Sequence, residues 1–124
     1  MKTIRMTAGR YYITDACSTH DDYYSNFLLS DPWSDQFGNK VGSCFIRPTG
    51  GDGSWAVTDM DNKVVGFTGS DAGNVSVVPQ KLCGEVKSHY GTPIEIDHDF
   101  DIVCYHDAIV IDGTYRVRGL RHLW

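Results

Sequence analysis

The sequence predicts a single α+β domain, mostly an antiparallel sheet curled toward a small β-barrel, with one helix packed on it. Short runs of β-branched and aromatic residues recur along the 124 residues, with clusters of Gly, Asp and Asn between them. Asp112-Gly113 stands between two apolar runs and is a strong hairpin signal, because both positions of such a turn favour positive φ. Only Thr19–Ser30 carries a clear helical periodicity.

The stretch Gly53–Pro79 organises the predicted sheet. Three runs rich in Trp, Val and Phe are separated there by two polar clusters, Asp59–Asn62 and Gly69–Asn74. Side chains of this kind suit a pleated, half-buried surface, and the polar clusters supply the turns. We therefore expect a strand–turn–strand–loop–strand unit on which the rest of the chain packs.

The predicted helix has a start signal and a stop signal. Thr19 can act as N-cap, and Asp22 follows three residues later in a capping-box arrangement. Asp31-Pro32 ends the helix, because the residue before a proline avoids the helical region. The apolar stripe consists of Tyr23, Tyr24, Phe27 and Leu28.

Short strands are predicted on both sides of this helix, with Pro79–Val86 as a single helical turn. A meander should run from Asp101 to Arg118 around the Asp112-Gly113 turn. All of these elements fit one domain, residues 1–124. The predicted strands are Arg10–Thr14, Val41–Arg47, Ser54–Thr58, Lys63–Thr68, Asn74–Val78, Pro93–Asp97, Asp101–Tyr105, Ala108–Ile111 and Thr114–Val117.

Composition narrows the range of functions. The formal net charge is −5, which disfavours nucleic-acid binding, since that affinity comes from Lys and Arg displacing counterions. No apolar stretch approaches the roughly 20 residues that a membrane helix requires. Met1–Arg10 has no apolar run typical of a secretion signal, so we expect the four cysteines to be reduced and mostly buried.

Two groups of residues could hold a metal ion. Cys17-x-x-His20 and Cys104-x-His106 together supply thiolates and imidazoles that zinc would accept, although core cysteines and turn histidines are the favoured interpretation. The bend at Asp97–Asp101 could hold a cation through oxygen, but such acidic runs are more often solvated turns. We therefore predict neither a metal nor a cofactor, and no catalytic residue. Whether Cys17, His20, Cys104 and His106 converge stays open.

Aromatic residues and small-residue loops are the predicted binding features. The tyrosines come in adjacent pairs, and one member of each pair should be exposed, because neighbours cannot both face the core. Two loops, Gly50–Gly53 and Gly69–Gly73, could line a pocket at a barrel mouth where Tyr or Trp stacks on a base. The predicted binding residues are Tyr11, Tyr12, Tyr23, Asp52, Trp55, Asp71, Asp97, His98, Asp99 and Asp101.

Two blocks of the sequence carry a resemblance. Ala-Gly-Arg-Tyr-Tyr-Ile-Thr-Asp-Ala-Cys at 8–17 resembles the opening Ala-Gly-x-Tyr-Tyr-Ile-Gly-Asp-Pro-Cys of a group of small bacteriophage-encoded proteins. Thr14 and Ala16 depart from that pattern, so the turn after the strand differs. The block from Ser70 to Pro79 is similar to a second segment of the group, an Asp-Ala-Gly loop leading into an apolar strand. The group has no assigned activity, so the resemblance implies a viral origin only.

These observations lead to a functional hypothesis. We predict a non-enzymatic bacteriophage accessory protein that acts in the host cytoplasm by binding and blocking a host protein or defence component, as a monomer or homodimer. Its acidic surface would suit a basic partner. The main alternative is a small-ligand or nucleotide-binding, sponge-like protein with its pocket at the glycine loops. A small Cys/His hydrolase and a virion structural protein are weaker alternatives.

Overall fold

Strands account for nearly all the regular structure in the computed structural model, which describes residues 1–19, 34–84 and 91–120. Within these ranges the helical segments are two 3-10 turns, Ala16–Ser18 and Gln80–Leu82. Neither segment has the length and apolar character that crossing a membrane would need. The strands are β1 (Lys2–Met6), β2 (Gly9–Thr14), β3 (Asn39–Val41), β4 (Cys44–Pro48), β5 (Gly53–Thr58), β6 (Val64–Ser70), β7 (Asn74–Pro79), β8 (Thr92–Ile96), β9 (Phe100–Cys104), β10 (Ala108–Ile111) and β11 (Tyr115–Arg118).

The strands form two antiparallel sheets around a shared core. One sheet has six strands in the order β1-β9-β10-β11-β5-β6, and the other has five in the order β3-β4-β7-β2-β8. Alternate side chains of each strand point to the same side, and both sheets contribute such a set to one apolar cluster. β4 and β7 are buried along their whole length, as expected for strands covered on both faces. The cluster includes Ile13, Phe45, Val57, Val75, Val77, Ile94, Ile102, Ile109, Ile111 and Val117.

The prediction of an α+β fold is wrong, because the described chain is almost entirely β. The predicted helix Thr19–Ser30 lies outside the described residues except for Thr19. Thr19 itself is extended, and its hydroxyl donates back to the carbonyl of Ala16 at 2.8 Å. Asp15 is the N-cap of the 3-10 turn Ala16–Ser18, because its carboxylate accepts from the backbone N–H of Cys17. The predicted turn at 79–86 is the 3-10 segment Gln80–Leu82.

The prediction of a curled sheet closing into a small barrel is also wrong, because the two sheets do not join through a strand ladder in the described residues. Side chains bridge their edges instead. Thr92 on β8 donates its hydroxyl to the carbonyl of Phe67 on β6 at 2.6 Å. At the opposite edges, Lys40 Nζ on β3 donates to the carbonyl of Arg5 on β1 at 2.9 Å. A two-layer arrangement with bridged edges is the result.

The hairpin predicted at Asp112-Gly113 is confirmed. β10 and β11 pair antiparallel, with Ile111 opposite Tyr115. Asp112 has φ of 56° and Gly113 has φ of 61°, so both turn residues occupy the left-handed region that the dipeptide favours. This turn positions Arg116 and Arg118 on β11 for the surface described below.

Gly66 sets how closely the two sheets approach at the β6–β8 edge. A Cβ at this position would lie 2.2 Å from Thr92 Oγ1 and 2.6 Å from Thr92 Cγ2. We expect Gly66→Ala to lower the free energy of unfolding by about 1–3 kcal/mol, since overpacking forces a shift of β8. Urea denaturation measures the loss. The double variant Gly66→Ala with Thr92→Ala should recover part of it, and a double variant as unstable as the sum of the two single changes would contradict this account.

Candidate functional site

The two glycine loops predicted to line a pocket lie side by side. Thr49 N donates to the carbonyl of Gly73 at 2.9 Å, and Gly53 on β5 pairs with Ser70 on β6. A cleft of about 250 Å³ opens beside the first loop, and the exposed Asp52 is part of its wall. Its lining residues are Thr49, Gly50, Gly51, Asp52, Gly53, Ser54, Trp55 and Gly119.

Trp55 forms the aromatic wall of this cleft. A Cβ on Gly53 would lie 3.0 Å from its six-membered ring, and a Cβ on Gly119 would lie 3.6 Å from its five-membered ring. The indole Nε1 donates to the carbonyl of Gly119 at 3.3 Å. Both glycines therefore give the ring room to lie in the cleft wall, half-buried against the core.

Asp15, which the sequence analysis did not select, holds the second glycine loop in place. This carboxylate is 1% exposed and accepts five hydrogen bonds between 2.8 and 3.0 Å. The donors are Cys17 N, Ser70 Oγ, Asp71 N, Ala72 N and Asn74 Nδ2.

The two blocks that carry the phage resemblance meet at Asp15. β2 and β7 are neighbours, with Tyr11 opposite Pro79 and Thr14 opposite Ser76. The signal available in the sequence was the position of Asp15, directly after an apolar strand in the first block. The predicted binding residue Asp71 is exposed, and its N–H is one of the donors to this carboxylate.

The acidic bend at Asp97–Asp101, which was predicted to be a binding face, forms contacts with other parts of the same chain. Asp99 Oδ1 accepts from the N–H of Ala8 at 2.9 Å and so fixes the β1–β2 turn. Asp101 forms an exposed ion pair with Arg5 at 3.3 Å. Exposed pairs of this kind contribute little to stability. These two carboxylates therefore have structural partners, a backbone N–H for Asp99 and a guanidinium for Asp101.

His98 joins the bend to the β10–β11 hairpin. Its Nε2 lies 2.9 Å from Asp112 Oδ1, and its Nδ1 lies 2.8 Å from Asp97 Oδ1. Hydrogen bonds to Asp112 and then to Asp97 favour the protonated ring, and they raise the pKa of His98 above its ordinary value of 6.5. Because both carboxylates bind the protonated imidazole more strongly than the neutral one, the strength of this contact depends on pH.

The His98 contact should stabilise the fold only while the ring is charged. A raised folded-state pKa means that the contribution is complete below about pH 6.5 and is lost as the pH rises through the folded-state value. We expect the difference in unfolding free energy between wild type and His98→Gln to shrink as the pH is raised. Urea denaturation across this pH range measures it. A difference that stays constant or grows with pH would contradict the assigned contacts.

The sulfur-containing candidates do not form a reactive or metal-binding group in the described residues. No set of three or more His, Cys, Asp or Glu side chains is arranged for a metal there, and His20 lies outside the described residues. Although Cys17 lies at the surface, partial desolvation of its thiol and then the negative charge of Asp15 raise its pKa to about 12. Burial raises the pKa of Cys104 to about 11 in the core, whereas His106 lies on the exposed β9–β10 turn. A thiol with such a pKa is protonated near neutrality and is a weak nucleophile.

The tyrosine prediction is wrong for the first pair. Tyr11 is 4% exposed, and its ring packs edge-on against Phe100 with centroids 5.6 Å apart. Tyr12 is half-buried on the other face of the sheet, against a small apolar cluster. Both neighbours are covered because β2 lies inside a sheet with apolar groups on both faces. Tyr23 lies outside the described residues.

A group of exposed apolar side chains lies on the β5–β6 hairpin, and none of its members was a predicted binding residue, although Trp55 on β5 was. We call it the β6 surface, and β6 is an edge strand of its sheet. Phe67 sits opposite Ala56, on the outer face of the sheet, because its neighbour Gly66 pairs with the core residue Val57. The signal in the sequence was the Val64-Val65 pair, whose two apolar side chains cannot both face the core. Exposed fractions are 41% for Met60, 50% for Val64, 45% for Val65 and 54% for Phe67.

Two arginines border the β6 surface. Arg118 Nη2 donates to Asn62 Oδ1 at 2.6 Å, and Arg116 Nη1 donates to the same oxygen at 3.2 Å. Asn62 lies in the β5–β6 turn, with φ of 66°. Arg116 Nη2 also lies 3.8 Å from the sulfur of Met60. One amide oxygen thus fixes two cationic groups beside exposed apolar side chains, on a chain whose net charge is −5.

Comparisons with protein-family models, with curated proteins and with solved structures found no match for this chain.

Proposed function

We propose that this chain is a non-enzymatic binding protein that docks on another protein through the β6 surface. The observation that carries the proposal is the grouping of Met60, Val64, Val65 and Phe67, each more than 40% exposed, on one hairpin. Single exposed apolar residues are ordinary, but a group of them next to polar residues marks an interaction site. The carbonyl of Phe67 already accepts from Thr92 on β8, so this surface offers a partner side chains rather than a free strand edge.

The chemistry of the β6 surface favours a partner with apolar and acidic groups. Phe67 and Met60 can bury apolar area against a partner. Arginine is enriched at protein interfaces because its guanidinium donates several hydrogen bonds in a fixed plane. Arg116 and Arg118 are already oriented by Asn62, so less conformational entropy is lost on binding. This differs from the basic partner expected from net charge, since the cations at this surface outnumber the carboxylates of the same turn. The cations are Lys63, Arg116 and Arg118, and the carboxylates are those of Asp59 and Asp61.

Within this proposal, the chain is a bacteriophage accessory protein that acts in the host cytoplasm by covering a functional surface of a host protein or defence component. The resemblance of the two paired blocks to small bacteriophage-encoded proteins supports the viral origin. The raised pKa values of Cys17, Cys83 and Cys104 weaken the hydrolase alternative, because thiolate chemistry needs the opposite shift.

Matched surface variants test the proposal in host cells. Phe67→Ser removes the most exposed aromatic side chain of the β6 surface, and Tyr105→Ser removes a 42% exposed aromatic side chain elsewhere. We expect a co-purifying host protein to be lost from Phe67→Ser and retained by Tyr105→Ser. Equal retention by both variants would contradict docking at this surface. If the purified wild-type protein has twice the mass of one chain and Phe67→Ser has the mass of one chain, the surface instead binds a second copy of the chain.

A second candidate function, small-ligand binding, is favoured by the cleft beside Trp55. Its described lining residues include the carboxylate of Asp52 and no Lys or Arg, so a phosphate group would find no cation there. The ligand would therefore be a neutral or cationic planar molecule stacked on the indole. Native mass spectrometry of the purified protein tests this candidate. A retained ligand mass that is lost from Trp55→Ala would support it, and a bare wild-type mass would count against it.

A further inference from the structure

A groove at the start of β2 has the size and lining of a small-molecule site. Its volume is about 440 Å³, within the roughly 300–1,000 Å³ typical of such sites. The β1–β2 turn, Ser43 of the β3–β4 turn and the end of β7 form its walls. A neighbouring depression of about 410 Å³ shares Arg10 and Gln80 with it, so the groove continues toward β8.

The floor of this groove is apolar and fixed. Tyr11 lies at its base, and the phenol hydroxyl donates to the carbonyl of Thr7 at 2.6 Å. Gln80 Nε2 donates to the carbonyl of Tyr11 at 3.2 Å, and Pro79 is buried beside it. These polar groups already have partners, and Tyr11 is only 4% exposed, so the floor offers a ligand a small apolar surface of ring and methylene groups.

The rim of the groove carries two cations. Lys81 forms no hydrogen bond or ion pair with any other described residue, and it lies on the groove wall. Arg10 lies 3.6 Å from Glu95, but the two side chains are 70% and 66% exposed, so the pair is weak. None of the described residues that line the groove itself is acidic, and Glu95 lines only the neighbouring depression. Among the described residues, the rim of the groove therefore carries more positive than negative charge.

We infer that this groove binds an amphipathic carboxylate, with its apolar chain on the Tyr11 and Pro79 floor and its carboxylate between Arg10 and Lys81. Placing hydrocarbon on an apolar floor is favourable because it removes apolar surface from water. A carboxylate gains charge-assisted hydrogen bonds from the two cations at the rim. A nucleotide, whose ribose and phosphates are polar, would leave this floor unused.

Titration with sodium octanoate, octanol and adenosine monophosphate tests the inference. We expect octanoate to shift the backbone amide resonances of Gly9 and Ser43 and to bind roughly tenfold more tightly than octanol. The double variant Arg10→Gln with Lys81→Gln should lose that preference while keeping its melting temperature. Lys63→Gln, which removes an exposed lysine on the β5–β6 hairpin, is the matched control and should bind like the wild type.

Three outcomes would overturn the inference: no shift with octanoate, equal affinity for octanoate and octanol, or tighter binding of adenosine monophosphate. The inference does not rest on the β6 surface. Phe67→Ser should therefore bind octanoate normally even where it loses a protein partner, and the two proposals can fail separately.

Discussion

Asp15→Ala should lower the free energy of unfolding by about 3–5 kcal/mol. The substitution leaves five hydrogen-bond donors without their acceptor in a buried position. Three of them, Ser70 Oγ, Asp71 N and Ala72 N, share one carboxylate oxygen, so the loop between β6 and β7 loses its attachment. Urea denaturation followed by far-ultraviolet circular dichroism measures the change.

Two controls separate the role of the Asp15 carboxylate from a general effect of charge. Asp71→Ala removes an exposed carboxylate from the same loop and should change stability by less than about 0.5 kcal/mol. Asp15→Asn keeps one oxygen acceptor and should fall between the wild type and Asp15→Ala. An Asp15→Ala protein as stable as Asp71→Ala would contradict the assigned hydrogen bonds.

Arg47→Ala should lower the free energy of unfolding by a similar amount, about 3–5 kcal/mol, for a different reason. Arg47 on β4 is 0% exposed and is the largest fully buried side chain in the described residues. Its guanidinium donates to the carbonyls of Tyr105 at 2.9 Å, His106 at 2.8 Å and Phe37 at 3.3 Å. Removing it opens a cavity and takes these hydrogen bonds away from the carbonyls of the β9–β10 turn.

Arg47→Met distinguishes these two costs. Methionine fills much of the same volume without any donor, so the remaining loss of about 1–3 kcal/mol in unfolding free energy reports the lost hydrogen bonds from the guanidinium. Amide hydrogen exchange should then increase at the β9–β10 turn, because Arg47 holds Tyr105 and His106 to the other sheet. A stability of Arg47→Ala within about 1 kcal/mol of wild type would contradict this account.

Most strands were predictable because their signals are local, although β1 and β3 were not among the predicted strands. Alternating apolar residues in β8 and β9, and the Asp112-Gly113 turn before β11, depend only on neighbours in sequence. The N-cap predicted at Thr19 rests on the same local logic, but the rest of that predicted helix lies outside the described residues. Local signals could not decide between a barrel and two sheets, since that depends on which edges pair.

The candidate sites were less predictable because they depend on contacts between distant residues. The cleft beside Trp55 brings Gly53 and Gly119 together, and the Asp15 hydrogen bonds join residues more than 50 positions apart. The acidic bend was predicted to be a free surface because the residues that contact it, Arg5 and Asp112, lie elsewhere in the sequence. The exposure of Phe67 follows from the position of β6 at a sheet edge, which no single run of residues encodes.

Site-specific photo-crosslinking in host cells tests the central claim most directly. A photoreactive phenylalanine derivative placed at Phe67 samples the β6 surface, and the same group at Tyr105 samples an exposed aromatic position on the β9–β10 turn. Our account predicts a crosslink from position 67 to one host protein and none to that protein from position 105. The same crosslinks from both positions, or none from position 67, would contradict binding through the β6 surface.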